Sequence, residues 1–338
     1  MKLLSVAVPC YNSQDYMEHC VETLLSGGEE MEILVVDDGS TDATAEIAER
    51  LRVEHPAAVR TIHQINKGHG GAVMTGLRNA TGLYFRVVDS DDWVDGTALG
   101  VLLAHLREFA RMDRPVDLVV NNYIYDKVEK GQQRAIRYHH ALPEERVLTW
   151  DEVGNFRKWE NLLMHAMTYR TAVLRDSGLV LPEHTFYVDN LYASVPLVKV
   201  ESLYYADIDL YHYYIGREGQ SVQQETMIRR IDQQIRVNKL MMDEVDLENV
   251  PNLRQRRTIL HYHDIITAVT CVHLSLGGTQ EHLQKRDELW VYIREHHPWE
   301  YRRLRHSMFG VAANLPGRVG RKLSAAAYRA ANHVFSFN

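Results

Sequence analysis

Cysteine is scarce in this sequence. Cys10, Cys20 and Cys271 are the only three, and no two of them form a Cys-x-x-Cys pair. An odd number cannot close entirely among itself, so a disulfide framework is excluded and buried, reduced thiols in a cytosolic setting are expected. Long hydrophobic runs are missing as well. Nothing approaches the roughly 18 apolar residues that a membrane-spanning helix needs. Residues 1–9 begin like an export signal, but the apolar run is short and no small-residue cleavage site follows it. The chain is therefore expected to be neither exported by that route nor integral to a membrane. Positive charge is also short, with 38 Lys and Arg against 45 Asp and Glu for a net −7. That balance excludes nucleic acid as the main partner. There is no internal repeat and no low-complexity tract.

What is present reads as an ordinary globular chain, 45% hydrophobic and 25% charged over 338 residues, long enough for two domains. Short apolar runs at 3–8, 32–36, 59–63, 84–88 and 116–121 read as strands. Between them lie amphipathic segments: Met17, Cys20, Val21, Leu24 and Leu25 follow helical spacing, and further helices are expected after Ser40 or Thr41 as cap, over 71–80 and over 97–112. Alternating strands and helices imply an α/β domain, a mostly parallel sheet with helices on both faces. Residues 123–148 suit a hairpin, and from Glu225 onward the pattern is helical, with long charged stretches at 228–243 and 254–276. The expected division is a catalytic domain over 1–222, with halves 1–120 and 121–222, and a helical region over 223–338.

Ligands of such sheets bind beyond the carboxyl ends of the strands. Three of the expected strands end there in acidic or glycine-rich sequence: Asp37-Asp38-Gly39-Ser40-Thr41-Asp42, Asn66-Lys67-Gly68-His69-Gly70-Gly71, and Asp89-Ser90-Asp91-Asp92. If the strands are parallel, these loops converge on one rim. Carboxylates crowded together repel unless a cation joins them, and a divalent cation holding a diphosphate suits hard oxygen ligands.

Taken with Val8-Pro9-Cys10-Tyr11-Asn12, these segments resemble the family 2 glycosyltransferases of GT-A fold, strongly over the first 120 residues and loosely over the next hundred. The resemblance implies a Rossmann-like GT-A domain that moves a sugar from a nucleotide diphosphate donor, by family habit a UDP-sugar, to a hydroxyl acceptor with inversion. It implies that Pro9 and Tyr11 line the base and ribose pocket and that Asp38 accepts a hydrogen bond from the base. Lys67 and Gly68 would lie against the donor, Ser90 among the donor-side residues, and Asp89 at the ribose or a metal-bound water. Asp91, last of the Asp-x-Asp triplet, would bind Mn2+ or Mg2+ together with Asp89. The alternatives are ordinary packing for Tyr11, a turn-capping role for Asp38, and a plain turn and helix start for residues 68–71. His69 is read as a solvated loop residue.

The family's acidic pair, Glu then Asp at a helix start, corresponds here to Val188-Asp189. Asp189 is thus the expected general base, with Glu183 in reserve, and the lost Glu bears on acceptor recognition. Arg217 either clamps the diphosphate or is a surface Arg. His212 is read as a strand histidine rather than a metal ligand. No Gln-x-x-Arg-Trp signature of processive relatives is present, so one sugar per encounter is expected. An inactive sugar-nucleotide-binding protein and a sugar nucleotidyltransferase stand as rivals. Finally, residues 299–338 mix Arg302, Arg303, Arg305, Arg318, Arg321, Lys322 and Arg329 with aromatics. Such a tail suits a peripheral contact with anionic membrane, which would bring a cytoplasmic enzyme to a saccharide or lipid-linked acceptor. It equally suits packing on the acidic body or a homodimer contact.

Overall fold

The computed structural model describes residues 2–216, 224–315, 317 and 320, apart from the side chain of residue 129. The chain forms two compact units, Met1–Phe156 with Leu162–Ile215, and Arg157–Asn161 with Gly216–Asn338.

The first unit opens with strand β1 (Leu4–Cys10), helix α1 (Met17–Leu25), β2 (Met31–Asp37), α2 (Thr44–Glu54), β3 (Val59–His63), α3 (Gly68–Asn79) and β4 (Tyr84–Val87). All seven residues of β1 and all seven of β2 are buried, as strands covered on both faces require. β1 pairs in parallel with both β2 and β4, and β2 in parallel with β3. The carboxyl ends of these four strands therefore open on one rim.

Beyond β4 the sheet is mixed. The chain continues through β5 (Trp93–Val94), α4 (Gly96–Phe109), β6 (Leu118–Lys127), β7 (Gln132–Ile136), β8 (Val147–Leu148), β9 (Met167–Arg170), α5 (Thr171–Asp176), α6 (Asp189–Ser194) and β10 (Leu203–Tyr214). The strand order is β3-β2-β1-β4-β9-β6-β10-β5. β9 runs antiparallel between β4 and β6, β10 lies parallel to β6, and β6 turns back into β7 as a hairpin.

Two helix starts differ from expectation. Helix α2 begins at Thr44, not behind Ser40 or Thr41, because both are engaged elsewhere. Ser40 Oγ accepts the Asn12 N–H at 3.0 Å, and the Thr41 N–H donates to Asn12 Oδ1 at 2.9 Å. Asp42 instead accepts the Thr44 N–H at 3.0 Å, which suits the positive end of the helix. Helix α3 begins at Gly68, so His69 lies in its first turn.

The second unit is helical: α7 (Gln224–Arg229), α8 (Ile231–Asp243), α9 (Leu253–Gly277), α10 (Gln280–His296), α11 (Pro298–Leu304) and α12 (Met308–Ala313). Asn252 caps α9 through Oδ1, and Gly278 ends it in the left-handed conformation. Cys271, Leu289, Ile293 and Leu304 form the centre of its core. All three cysteines are free and buried. Among the described residues no helix is long and apolar enough to cross a membrane.

Candidate active site

The rim of the parallel strands is laced together by the loops that leave it. The Asp38 N–H donates to the Cys10 carbonyl at 2.8 Å, which fixes the loop after β2 to the end of β1. Asp38 is buried, and its Oδ1 accepts the Gln64 amide at 2.6 Å and the Lys67 backbone N–H at 2.8 Å. Its carboxylate thus bonds to the next loop rather than capping its own turn. Pro9 is buried in β1, while Tyr11 stands 54% exposed above it. Ser13 and Ser90 hydroxyls meet at 2.8 Å, joining the loop after β1 to the loop after β4.

A fourth segment, residues 181–189, closes over the glycine-rich turn. The His184 N–H donates to the Lys67 carbonyl at 2.8 Å, and the Lys67 ammonium lies 3.2 Å from Glu183. A Cβ on Gly68, whose φ is +75°, would meet the His184 nitrogen at 2.9 Å; one on Gly70 would meet the Pro182 carbonyl at 2.9 Å. These glycines therefore make room for protein backbone. Asn12, His184 and Tyr187 all hold positive φ, a conformation that non-glycine residues adopt at a cost, often near functional sites.

Asp89 sits between two imidazoles. His69 Nε2 is 2.7 Å from Asp89 Oδ1, and His165 Nε2 is 4.0 Å from Oδ2. His69 is accordingly not a solvated loop residue. Burial works against its charge, but Asp89 prevails and raises its pKa. Burial likewise disfavours a charged Asp89, yet His69 holds it below the ordinary carboxylate range. His165 differs. Burial lowers it to about 4 despite Asp89, so it is neutral at pH 7, and its Nδ1 has no hydrogen-bond partner among the described residues. Asp92 is committed to the scaffold: its oxygens accept the Tyr211 hydroxyl at 2.6 Å and the Tyr214 N–H at 2.8 Å.

Asp189 is the first residue of α6 and half-buried. Burial, opposed by His69 and reinforced by Asp89, raises its pKa to about 6. Loops after β2, β3 and β4 and the start of α6 are thus connected at one rim, through Asp38, Lys67, His69, Asp89 and Asp189.

A model of the family described as glycosyl transferase family 2 matches residues 5–175. The chain belongs to glycosyl transferase family 2. Within the family's range of relatives, it is 41% identical over 216 residues to the uncharacterized glycosyltransferase EpsJ of Bacillus subtilis, covering 60% of each chain. It is 32% identical over 181 residues to glycosyltransferase GlyA of Streptococcus pneumoniae, covering 52% of this chain but 23% of GlyA. The chain thus spans less than two thirds of these relatives. Residues 1–349 of TarS from S. aureus superpose with a TM-score of 0.66 at 19% identity, covering 99% of this chain and 91% of that one. At that identity the likeness is one of fold, and the fold is GT-A.

Carboxylate oxygens are the donors that Mn2+ and Mg2+ accept, whereas a neutral imidazole suits a transition ion such as Mn2+ better than Mg2+. Among the described residues, ligand atoms of Asp89, Asp92 and His165 lie within 4.8 Å of one another. Since both Asp92 oxygens already bond to Tyr211 and Tyr214, that carboxylate serves better to fix the loop than to bind metal. Asp91 lines a cleft together with Asp92, Asp15, Trp93 and Tyr214. Asp92 and His165 were missed by the sequence reading. His165 carries no motif and reaches the site only because β9 crosses to the middle of the sheet. His212, on β10, stacks on Trp93 and lies 3.1 Å from Asp126. Arg217 and most of the basic tail lie outside the described residues.

Proposed function

We propose that this chain transfers a sugar from a nucleoside diphosphate donor, a UDP-sugar, to a hydroxyl of a glycan or lipid-linked saccharide, with inversion. The observation that carries this reading is the joining of Asp38, Lys67, Asp89 and Asp189 at one rim of a family 2 fold. Among the relatives, a poly(ribitol-phosphate) beta-N-acetylglucosaminyltransferase, 26% identical over 227 residues, and a chondroitin synthase, 34% identical over 154, support a polysaccharide acceptor.

In this reading Pro9 and Tyr11 border the base and ribose, Asp38 faces the base through its remaining oxygen, and Lys67, Gly68 and Ser90 border the diphosphate. Asp91 and Asp89 would hold the cation, with the neutral His165 beside Asp89 as a further donor. When bound, the cation neutralises charge on the departing diphosphate. Asp189 takes the proton from the acceptor hydroxyl as its oxygen bonds to the anomeric carbon, and the bond from that carbon to the diphosphate oxygen breaks. A carboxylate with its pKa raised toward neutrality is a stronger base than an ordinary Asp and is still ionised at pH 7. Arg217 would clamp the diphosphate. The tail over 299–338 would touch anionic membrane from the cytoplasmic side, or pair two copies of the chain.

A screen of nucleotide sugars with Mn2+ and Mg2+, reading nucleoside diphosphate release, tests the reading. Release of pyrophosphate instead would make the protein a nucleotidyltransferase. Donor binding without turnover over a broad acceptor panel would favour an inactive sugar-nucleotide binder, the reading that Val188 in place of the family's Glu supports.

A further inference from the structure

Just past β2, the two oxygens of the Asp38 carboxylate differ in what they can still accept. A carboxylate oxygen has two lone pairs, and both on Oδ1 are taken: the Gln64 amide donates at 2.6 Å and the Lys67 backbone N–H at 2.8 Å. Among the described residues none donates to Oδ2. Gln64 is itself held from its far side. The hydroxyl of Thr75, buried in α3, donates to Gln64 Oε1 at 2.7 Å, and Arg78 Nη2 donates to Thr75 Oγ1 at 2.9 Å. An arginine can only donate, so the one hydroxyl proton of Thr75 is left for Gln64. That sets the direction of the amide, because a flipped Gln64 would put its oxygen against the Asp38 carboxylate. The loops after β2 and β3 also lie back to back: a Cβ on Gly39, at φ +73°, would meet the Asn66 nitrogen at 2.9 Å.

We propose that Gln64 and Thr75, directed by Arg78, are positioning residues that set the nucleobase: they leave Asp38 one free oxygen, which suits uracil and refuses guanine. The inference rests on the transferase reading above and names what selects its donor. Uracil offers a single ring donor, N3–H, standing between two carbonyl oxygens, and one free carboxylate oxygen satisfies it. Guanine offers N1–H and its N2 amino group side by side, a pair that needs both oxygens of a carboxylate. With Oδ1 saturated, one guanine donor would be buried without a partner. Selection here comes from an acceptor withheld rather than from a contact added.

The test is calorimetric titration of the full chain with UDP and with GDP, Mn2+ present. UDP is expected to bind about 10- to 100-fold more tightly than GDP, the scale of one unpaired buried donor. Gln64→Ala frees a lone pair on Oδ1 and should cut that ratio about tenfold, and Thr75→Val, which releases the amide, should cut it about threefold. Gln64 is only half-buried, so it tests the relay even if Thr75→Val does not fold. Residues that merely support the loop would weaken both nucleotides equally and leave the ratio unchanged. The proposal is overturned if the unaltered protein binds GDP as tightly as UDP, or if Gln64→Ala leaves the ratio as it was. Release of UDP from UDP-sugars by the unaltered protein is read separately. Turnover with an unmoved ratio sinks the relay alone. A moved ratio without turnover upholds the relay and sinks the transferase reading, and binding of neither nucleotide sinks both.

Discussion

Asp189→Asn should slow the enzyme and steady the fold at the same time. Burial, with Asp89 reinforcing and His69 opposing, holds the Asp189 pKa at about 6 against 3.8. At about 1.4 kcal/mol per pKa unit, keeping this group charged in the folded state costs up to about 3 kcal/mol. Its side chain is half-buried, and Asn also removes a counter-charge from His69, so a net gain of about 1–3 kcal/mol at pH 7 is expected. For a unit of this size that is a rise in Tm of roughly 2–10 °C. The sign with pH follows from linkage. A folded pKa above the unfolded one means the folded state holds the proton more tightly, so wild-type stability falls as pH rises from about 4 to about 6. The variant escapes that loss. Its advantage should be absent near pH 4 and complete above pH 6. Turnover should drop by about two to four powers of ten, as for a lost general base, with donor binding intact, and the wild type should lose activity as pH falls through 6. Thermal unfolding across pH 4–8, UDP binding and UDP release read all of this. A variant that is less stable at pH 7, or that keeps wild-type turnover, refutes the reasoning. Equal loss of donor affinity would move Asp189 to the donor side and turn attention to Glu183.

Asp91→Ala should abolish transfer and weaken metal-dependent donor binding. Asp91→Asn should fail too, because the amide keeps the shape but not the charge; near-normal turnover at limiting Mn2+ would show the metal is held elsewhere. Gly68→Ala forces a side chain into a position with φ +75° and a 2.9 Å approach to the His184 nitrogen. It should destabilise the fold by about 1–3 kcal/mol and raise the KM for donor, measured by thermal unfolding and steady-state kinetics; unchanged values would mean the loop relaxes freely. Removing residues 316–338 should abolish sedimentation with anionic liposomes at low salt if the tail is a membrane contact. Full-length protein that ignores such liposomes sinks that reading, and a truncated protein that unfolds assigns the tail to packing.

The parallel half of the fold was legible because β1, β2 and β4 are each one continuous buried run that gives way to polar residues. Val35-Val36 running into Asp37-Asp38 marks both the strand and the rim. The mixed half was legible only in part: the run at 116–121 marks β6 and the hairpin after it was expected, but β5 and β8 are two residues long and β9 only four, too short for a periodic signal. Their places depend on partners far along the chain. The same limit governs the site. Asp38, Lys67 and Asp89 stand at strand ends and could be picked out locally. His165 could not, because nothing within β9 announces that it will lie beside β4. Nor could the sequence tell which of Asp91 and Asp92 the scaffold uses, since only the Tyr211 and Tyr214 contacts across the sheet distinguish them. Val188 shows how a departure from a motif gains meaning once its surroundings are known. In the sequence it is merely a missing Glu. In the fold it is buried, with its Cγ2 only 3.4 Å from where a Gly70 Cβ would stand. Where the resemblance would place a Glu, the fold thus sets an apolar side chain against the glycine turn, in the segment leading into α6. Asp189 is the carboxylate at the start of that helix.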